Sequence, residues 1–276
     1  MKDINITIVN WKMRDDIDHC LEGLFADIKD SGLDIVTHII DNSNNIDGIA
    51  EMLKAKYPQV VYYNPGRNMG FGAGHNYAQK LVPAKFYLAL NPDIEFVPNT
   101  DTIKKLLAFF DEYNQVAVLS PRVLNFDGTL QYSCLRFPKF FDPIIRRLNL
   151  NKKFKFLQKR VDKYLMVDFD HTKIAPIDFL TGAFLLVKKE FIDQFGLFDE
   201  RFFMYFEDCD LCRKAWANGY KVYYDADVVV KHKLRRQSAD GSPLTAVFLN
   251  PVARMHIKSW LKYFHKWGIK NKHYGV

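Results

Sequence analysis

Over residues 1–120 short apolar runs alternate with longer amphipathic ones, and this alternation limits the fold more than any other feature of the chain. Residues 4–9, 35–41, 60–64, 86–90 and 116–119 are rich in β-branched and aromatic side chains and read as strands. Residues 18–30, 46–56, 74–81 and 101–113 read as the helices between them. Strand–helix–strand order implies an α/β fold, a mainly parallel sheet with helices on both faces, in which ligands sit at the carboxyl ends of strands. Asn10, Asp41, Asn68 and Asp93 all lie at or just beyond such ends. With 276 residues, 48% of them hydrophobic, the chain can bury the core of one sizeable domain.

The period then breaks down. Residues 133–175 form an aromatic, basic insert with weak helical periodicity, and regular structure resumes with 179–188, a helix at 190–195 and the turn Gly196-Leu197-Phe198-Asp199. An acidic helix follows at Glu207, then strands at 221–224 and 228–232 and a polar loop over 233–243. The last segment, 251–268, places Ile257, Trp260, Leu261, Phe264 and Trp267 on one helical face and Arg254, Lys258, Lys262 and Lys266 on the other. It reads equally as a helix docked on the core and as one lying on an anionic membrane. Charge follows the same division: residues 136–163 hold ten Lys/Arg against two Asp and residues 221–276 eleven against three, so the rest of this +7 chain is acidic. Two basic regions on an acidic body point to anionic partners at defined places, such as lipid headgroups or diphosphates. No motif supports a nucleic acid partner. The N-terminus lacks the regions of a signal peptide and no apolar run approaches the roughly 18 residues of a membrane span, so a cytoplasmic protein is expected.

Four elements carry chemistry. An aromatic run, Phe202-Phe203-Met204-Tyr205-Phe206, delivers Glu207 and Asp208 to the start of the acidic helix. Adjacent helical residues point about 100° apart, so one carboxylate is placed to act as a base while the other supports it. Both also suit a helix N-terminus as caps. The segment Asn68-Met69-Gly70-Phe71-Gly72-Ala73-Gly74-His75-Asn76 fails the dinucleotide pattern, because neither spacing ends on a third glycine. Its glycines still allow a close backbone approach, to a ligand or within a tight turn. Asn91-Pro92-Asp93 follows an apolar strand, and a single carboxylate there suits magnesium or manganese or, equally, a turn. His232 ends the last strand, either as a ligand or as an ordinary histidine.

Taken in order, these residues resemble the family 2 inverting glycosyltransferases of the GT-A fold, particularly the rhamnosyltransferase-like members that build bacterial surface polysaccharides. The likeness covers about residues 4–235 and runs through Val9-Asn10-Trp11, Ile40-Asp41-Asn42-Ser43, the Asn68–Asn76 loop, Leu90-Asn91-Pro92-Asp93, Thr181-Gly182-Ala183, Phe198-Asp199-Glu200, Glu207-Asp208 and His232. The resemblance implies a GT-A domain over 1–250, with a nucleotide-binding half at 1–120, the basic insert at 133–175 and an acceptor half at 176–235, followed by the C-terminal helix. It implies that Asp41 binds the pyrimidine base and that Asn10, Asn68, Gly70, Gly74, Asn76 and Asn91 shape the donor pocket. Asp93 would hold Mg2+ or Mn2+ on the donor diphosphate, with His232 as a further ligand. Thr181, Gly182 and Ala183 would line the sugar and acceptor pocket, and Asp208, supported by Glu207, would be the base.

The implied activity is transfer of a sugar, rhamnose from dTDP-rhamnose foremost, from a nucleoside diphosphate to a glycan or polyprenyl-linked acceptor at the inner face of the cell membrane. A UDP-hexose or UDP-galactofuranose donor, or an inactive glycan-binding homologue, are the alternatives. Asn91 replaces the first aspartate of the usual Asp-x-Asp motif. The chain also lacks the Gln-x-x-Arg-Trp motif of processive polymer synthases.

Overall fold

In the first strand Ile4, Ile6 and Ile8 on one face and Asn5 and Thr7 on the other are all buried, which is the mark of a strand covered on both faces. The computed structural model describes residues 1–233, 250–270 and 272–276. The first half runs β1 (Lys2–Asn10), α1 (Arg14–Ile28), β2 (Ile35–Asp41), α2 (Ile49–Lys56), β3 (Val61–Tyr63), α3 (Phe71–Leu81), β4 (Ala84–Leu90), β5 (Ile94–Phe96), α4 (Thr102–Glu112) and β6 (Val116–Leu124). The second runs β7 (Cys134–Leu135), α5 (Asp142–Arg147), α6 (Leu150–Lys153), α7 (Lys155–Tyr164), β8 (Ala175–Pro176), β9 (Phe179–Leu180), β10 (Phe184–Lys188), α8 (Lys189–Phe195), α9 (Glu207–Ala217), β11 (Lys221–His232) and α10 (Pro251–Trp267). From residue 234 the expected polar loop lies outside the described residues.

One sheet joins both halves in the order β3-β2-β1-β4-β10-β6-β11-β5, with β8 paired to β11. The strands β1 to β4 are mutually parallel, and β10 enters antiparallel between β4 and β6. One face carries the apolar sides of α1 and α4 through Ile17, Leu21, Leu24 and Leu106. The other carries α8, α9 and α10 through Phe191, Leu211 and Tyr263. The connections out of β1 lead to β2 on one side and those out of β4 towards the opposite side, so a crevice opens at their carboxyl ends.

Two departures from the expected elements shape this crevice. The run 179–188 is not one strand, because the chain breaks at Thr181-Gly182-Ala183 between β9, which pairs with β7 in a separate two-stranded sheet, and β10 of the main sheet. The segments 221–224 and 228–232 are one strand, β11, with a register shift between Asp225 and Val229.

The C-terminal helix also departs from its expected faces. Tyr263 and Phe264 are buried, but Leu261 is 50% exposed. Lys262 is exposed as expected and bonds Arg201 O at the surface, but Lys266, expected outside, reaches inward to the Asp199 and Asp210 carboxylates. A long lysine stem can lie along apolar surface while its head finds a buried acceptor, so a hydrophobic pattern alone misplaced Lys266.

Candidate active site

The residues before α9 are strained. Tyr205 and Phe206 both adopt left-handed backbone, φ 70° and 67°, which costs a non-glycine residue about 1–2 kcal/mol each. Tertiary contacts from α10 impose this shape. His256 packs on both rings, Tyr263 packs on Phe206, and Ser259 Oγ donates to Met204 O at 2.8 Å. Such outliers cluster where surroundings hold a functional group in place.

The strained turn presents two adjacent carboxyls differently. Glu207 is buried at 6% exposure and its Oε2 has no partner. Burial, with the Asp208 carboxylate beside it, holds Glu207 well above the usual carboxylate range. Asp208 is only partly buried, and its Oδ2 accepts Gly182 N–H at 2.9 Å while Oδ1 accepts Cys209 N–H at 2.7 Å. Burial raises the Asp208 carboxyl above its ordinary value, against the opposing pull of the Cys209 and Gly182 N–H groups. It is therefore an oriented carboxylate, more basic than in water, beside the break in the sheet.

That break ties the acid to the next element. Ala183 O accepts Asn91 N–H at 2.9 Å, so the Thr181-Gly182-Ala183 turn is flanked by Asp208 on one side and Asn91-Pro92-Asp93 on the other. Asp93 and His232 meet there: Asp93 Oδ1 lies 3.0 Å from His232 Nε2, and Asn91 Nδ2 lies 3.3 Å from the same nitrogen. Both residues are 8% exposed. They border an open cleft of about 640 Å³ lined also by Asp15, Asp16, His19 and Asn125.

Sequence reading missed the third member of this group, Gln131. Its Oε1 sits 2.7 Å from His232 Nδ1, and its Nε2 donates to Asn125 Oδ1 at 3.0 Å. A signal was present in Asp127-Gly128, a turn pair that folds the chain back so that Gln131 N–H bonds Val123 O of β6, beside β11.

The residues expected to shape the donor pocket divide. Asp41 is fully buried, and its two oxygens accept Asn10 Nδ2, Ser43 N–H and Oγ, Asn45 N–H and Tyr62 Oη. Burial alone would raise its carboxyl, but these donors outweigh it and hold the pKa low. A direct bond to a base edge requires one donor to give way, and Tyr62 on the edge strand is only partly buried. Asn10 is likewise closed within the protein, bonding Ser43 and Asp47 as well as Asp41. Asn68 is exposed, its side chain capping Gly70 N–H.

The glycines of this loop serve protein packing. A Cβ on Gly70, which has φ +87°, would lie 2.4 Å from Phe203 O, and one on Gly74 would lie 2.9 Å from Val9. Asn76 bonds Phe198 through both its amide atoms, at 2.8 and 2.9 Å. The close approach anticipated for a ligand is thus taken by the chain itself at Gly70, Gly74 and Asn76, which dock α3 against β1 and the 198–203 segment.

Among the described residues no group of three or more His, Cys, Asp or Glu forms a protein cage for a metal ion. The pair Asp93 and His232 nevertheless suits a hard cation that takes most of its ligands from a diphosphate and water. Adjacent ligands of an octahedron with bonds of 2.0–2.1 Å stand about 2.9 Å apart, close to the separation of Asp93 Oδ1 and His232 Nε2.

The family model described as "Glycosyltransferase like family 2" matches residues 2–247. The chain is 26% identical over 220 residues to "Low-salt glycan biosynthesis hexosyltransferase Agl10" of Haloferax volcanii, across 78% of this chain and 62% of that protein, and so spans less than two thirds of that relative. It is 25% identical over 225 residues to the "N-acetylglucosaminyl-diphospho-decaprenol L-rhamnosyltransferase" of Mycobacterium tuberculosis, across 74% of this chain and 69% of the relative. The crystal structure of GalNAc-T7 with UDP, GalNAc and Mn2+ is similar with a TM-score of 0.64 at 13% identity, over 96% of this chain and 48% of that one, a likeness of fold. With the family model spanning most of the chain, a rhamnosyltransferase among its relatives and a GT-A sheet, the chain belongs to the glycosyltransferase-like family 2, of rhamnosyltransferase-like type.

Proposed function

We propose that this protein is an inverting glycosyltransferase that moves a sugar from a nucleoside diphosphate to a hydroxyl of a glycan or polyprenyl-linked acceptor. The observation that carries the reading is Asp208, a basic, oriented carboxylate presented beside Gly182 and one turn away from Asn91-Pro92-Asp93. In this mechanism Asp208 takes the proton of the acceptor hydroxyl within roughly 2.6–3.2 Å as that oxygen attacks the anomeric carbon. The bond from anomeric carbon to phosphate oxygen breaks on the opposite face, the nucleoside diphosphate leaves with the electron pair, and configuration inverts. Asp93 and His232 would hold Mg2+ or Mn2+, which supplies charge neutralisation to the diphosphate. Asp41 and Asn10 organise the turn that meets the nucleotide, and Thr181, Gly182 and Ala183 line the sugar pocket.

A rhamnosyl donor and a decaprenyl-linked acceptor are favoured by the name of the mycobacterial relative, and dTDP-rhamnose is the donor proposed. The test is Asp208→Asn, which removes the base while keeping the shape. Donor binding is expected to stay nearly intact and turnover to fall at least about 100-fold. Near-normal turnover would remove Asp208 from the role.

Contact with an anionic membrane completes the reading, and the basic insert is its centre. Phe141, Phe154 and Phe156 are 58%, 49% and 70% exposed, and the exposed Lys152, Lys153, Lys155 and Lys159 surround the last two. The Phe140 ring packs at a tilt 4.6 Å from that of Trp260, joining the insert to the exposed Arg254, Lys258 and Leu261 of α10. Exposed aromatics ringed by lysines match a headgroup interface, where rings enter and ammonium groups stay with phosphates.

A further inference from the structure

His232 meets the proposed cation through Nε2, but an imidazole offers a lone pair there only if its proton sits on Nδ1. The orientation of the ring proton is set by what lies behind it, and in this protein that is the buried Gln131 backed by the partly buried Asn125. Asn125 Nδ2 approaches Leu130 O at 3.5 Å and Thr129 Oγ1 at 2.9 Å, and a carbonyl oxygen only accepts, so Asn125 turns its Oδ1 towards Gln131. Gln131 then meets that Oδ1 at 3.0 Å and the carbonyl of His232 at 3.4 Å with its NH2 end. Its Oε1 is left facing His232 Nδ1 at 2.7 Å, and an amide oxygen in that place requires Nδ1–H as the donor. Gln131 is 8% exposed, so water does not compete freely for the bond.

We infer that Gln131 is a positioning residue that fixes the Nδ1–H tautomer of His232 and so presents Nε2, beside the Asp93 carboxylate, as a ligand to the cation on the donor diphosphate. The opposite arrangement is the default in its absence. Nε2–H would then donate to Asp93 Oδ1, 3.0 Å away, closing the two ligands on each other. A ligating histidine commonly donates its other N–H to an oxygen acceptor, and loss of that acceptor costs about 10–100-fold in metal affinity. The inference rests on the cation reading above, so its test separates the two.

The experiment uses the whole chain and two readouts, neither of them turnover. Nitrogen-15 NMR of the imidazoles, with His232 assigned by its loss in His232→Asn, reports the tautomer. Electron paramagnetic resonance of free Mn2+ in the presence of dTDP reports metal affinity. The wild type is expected to show His232 as Nδ1–H. Gln131→Leu is expected to move it to Nε2–H and weaken Mn2+ binding by about 10–100-fold. Gln131→Glu, which keeps an oxygen at that place, is expected to restore both. An Nε2–H tautomer in the wild type overturns the inference even if no variant folds. Unchanged Mn2+ affinity in Gln131→Leu, beside weakened affinity in Asp93→Asn, overturns the role of Gln131 alone. A wild type that binds no Mn2+ with dTDP overturns the cation reading and this inference with it.

Discussion

Glu207 carries its carboxyl into the core with one oxygen unpaired, so rising pH forces a charge into apolar surroundings. Its folded pKa lies above the unfolded value. The folded state therefore holds an extra proton between the two, and stability declines as pH rises through that window. Glu207→Gln removes the ionisation. In thermal melts the variant is expected to gain on the wild type as pH rises from mildly acidic to mildly alkaline, and a difference independent of pH would contradict the burial argued for Glu207. Asp208, one position on, shows what sequence can and cannot tell at this scale. That the two carboxyls of the pair meet different surroundings was legible from the 100° step of a helix. Which carboxyl faces the crevice was not, because that depends on two left-handed residues and on Gly182 N–H, a partner 26 positions away. Asp41 shows the converse, since its place at a strand end was legible while the five donors that fill it were not.

Strands and helices of the first half follow from periodicity because each is a local pattern with one apolar face. α10 was legible as an amphipathic helix, yet its job depends on what it touches. It seals the strained 201–206 segment and clamps α9. Lys266 joins Asp199 at 2.7 Å and the fully buried Asp210 at 2.8 Å, and Trp267 Nε1 donates to Asp210 at 2.7 Å. Arg213 of α9 reaches Tyr263 Oη and lies 5.1 Å from the Trp267 ring. Lys266→Met leaves two carboxylates with less compensation and is expected to cost about 3 kcal/mol, the low end for breaking a buried pair. Chemical denaturation measures this. Because α10 supports the turn before Asp208, turnover is expected to fall more than donor affinity. A variant as stable as the wild type would mean that α10 only rests on the core. Residues 179–188 were read as one regular run because Phe179 to Leu180 and Phe184 to Lys188 are both apolar, and Thr181-Gly182 between them is the local hint of the break.

At the scale of the molecule, one sheet carries both halves, and Asn76 with Phe198 bolts the first half to the second. The α/β class and the order of its motifs were legible, because parallel strands impose their own alternation. The insertion of antiparallel β10 between β4 and β6 was not, since strand order depends on pairings between distant segments. The basic insert, legible only as a charged aromatic stretch, turns Phe141, Phe154 and Phe156 outward. Co-sedimentation with vesicles containing anionic lipid at low salt is expected to retain the wild type and to lose most of the Phe154→Ser/Phe156→Ser double variant. Equal binding of both would place the membrane contact elsewhere, and binding of neither would remove it. The most direct measurement of the central claim is a thermal-shift panel of nucleoside diphosphate sugars with and without Mn2+. A donor at about 100 times its dissociation constant adds about 2.7 kcal/mol to the folded state. The expected result is a Mn2+-dependent rise in Tm with one donor, dTDP-rhamnose foremost, that Asp93→Asn abolishes. A panel in which no donor moves the Tm, with or without Mn2+, would contradict the account.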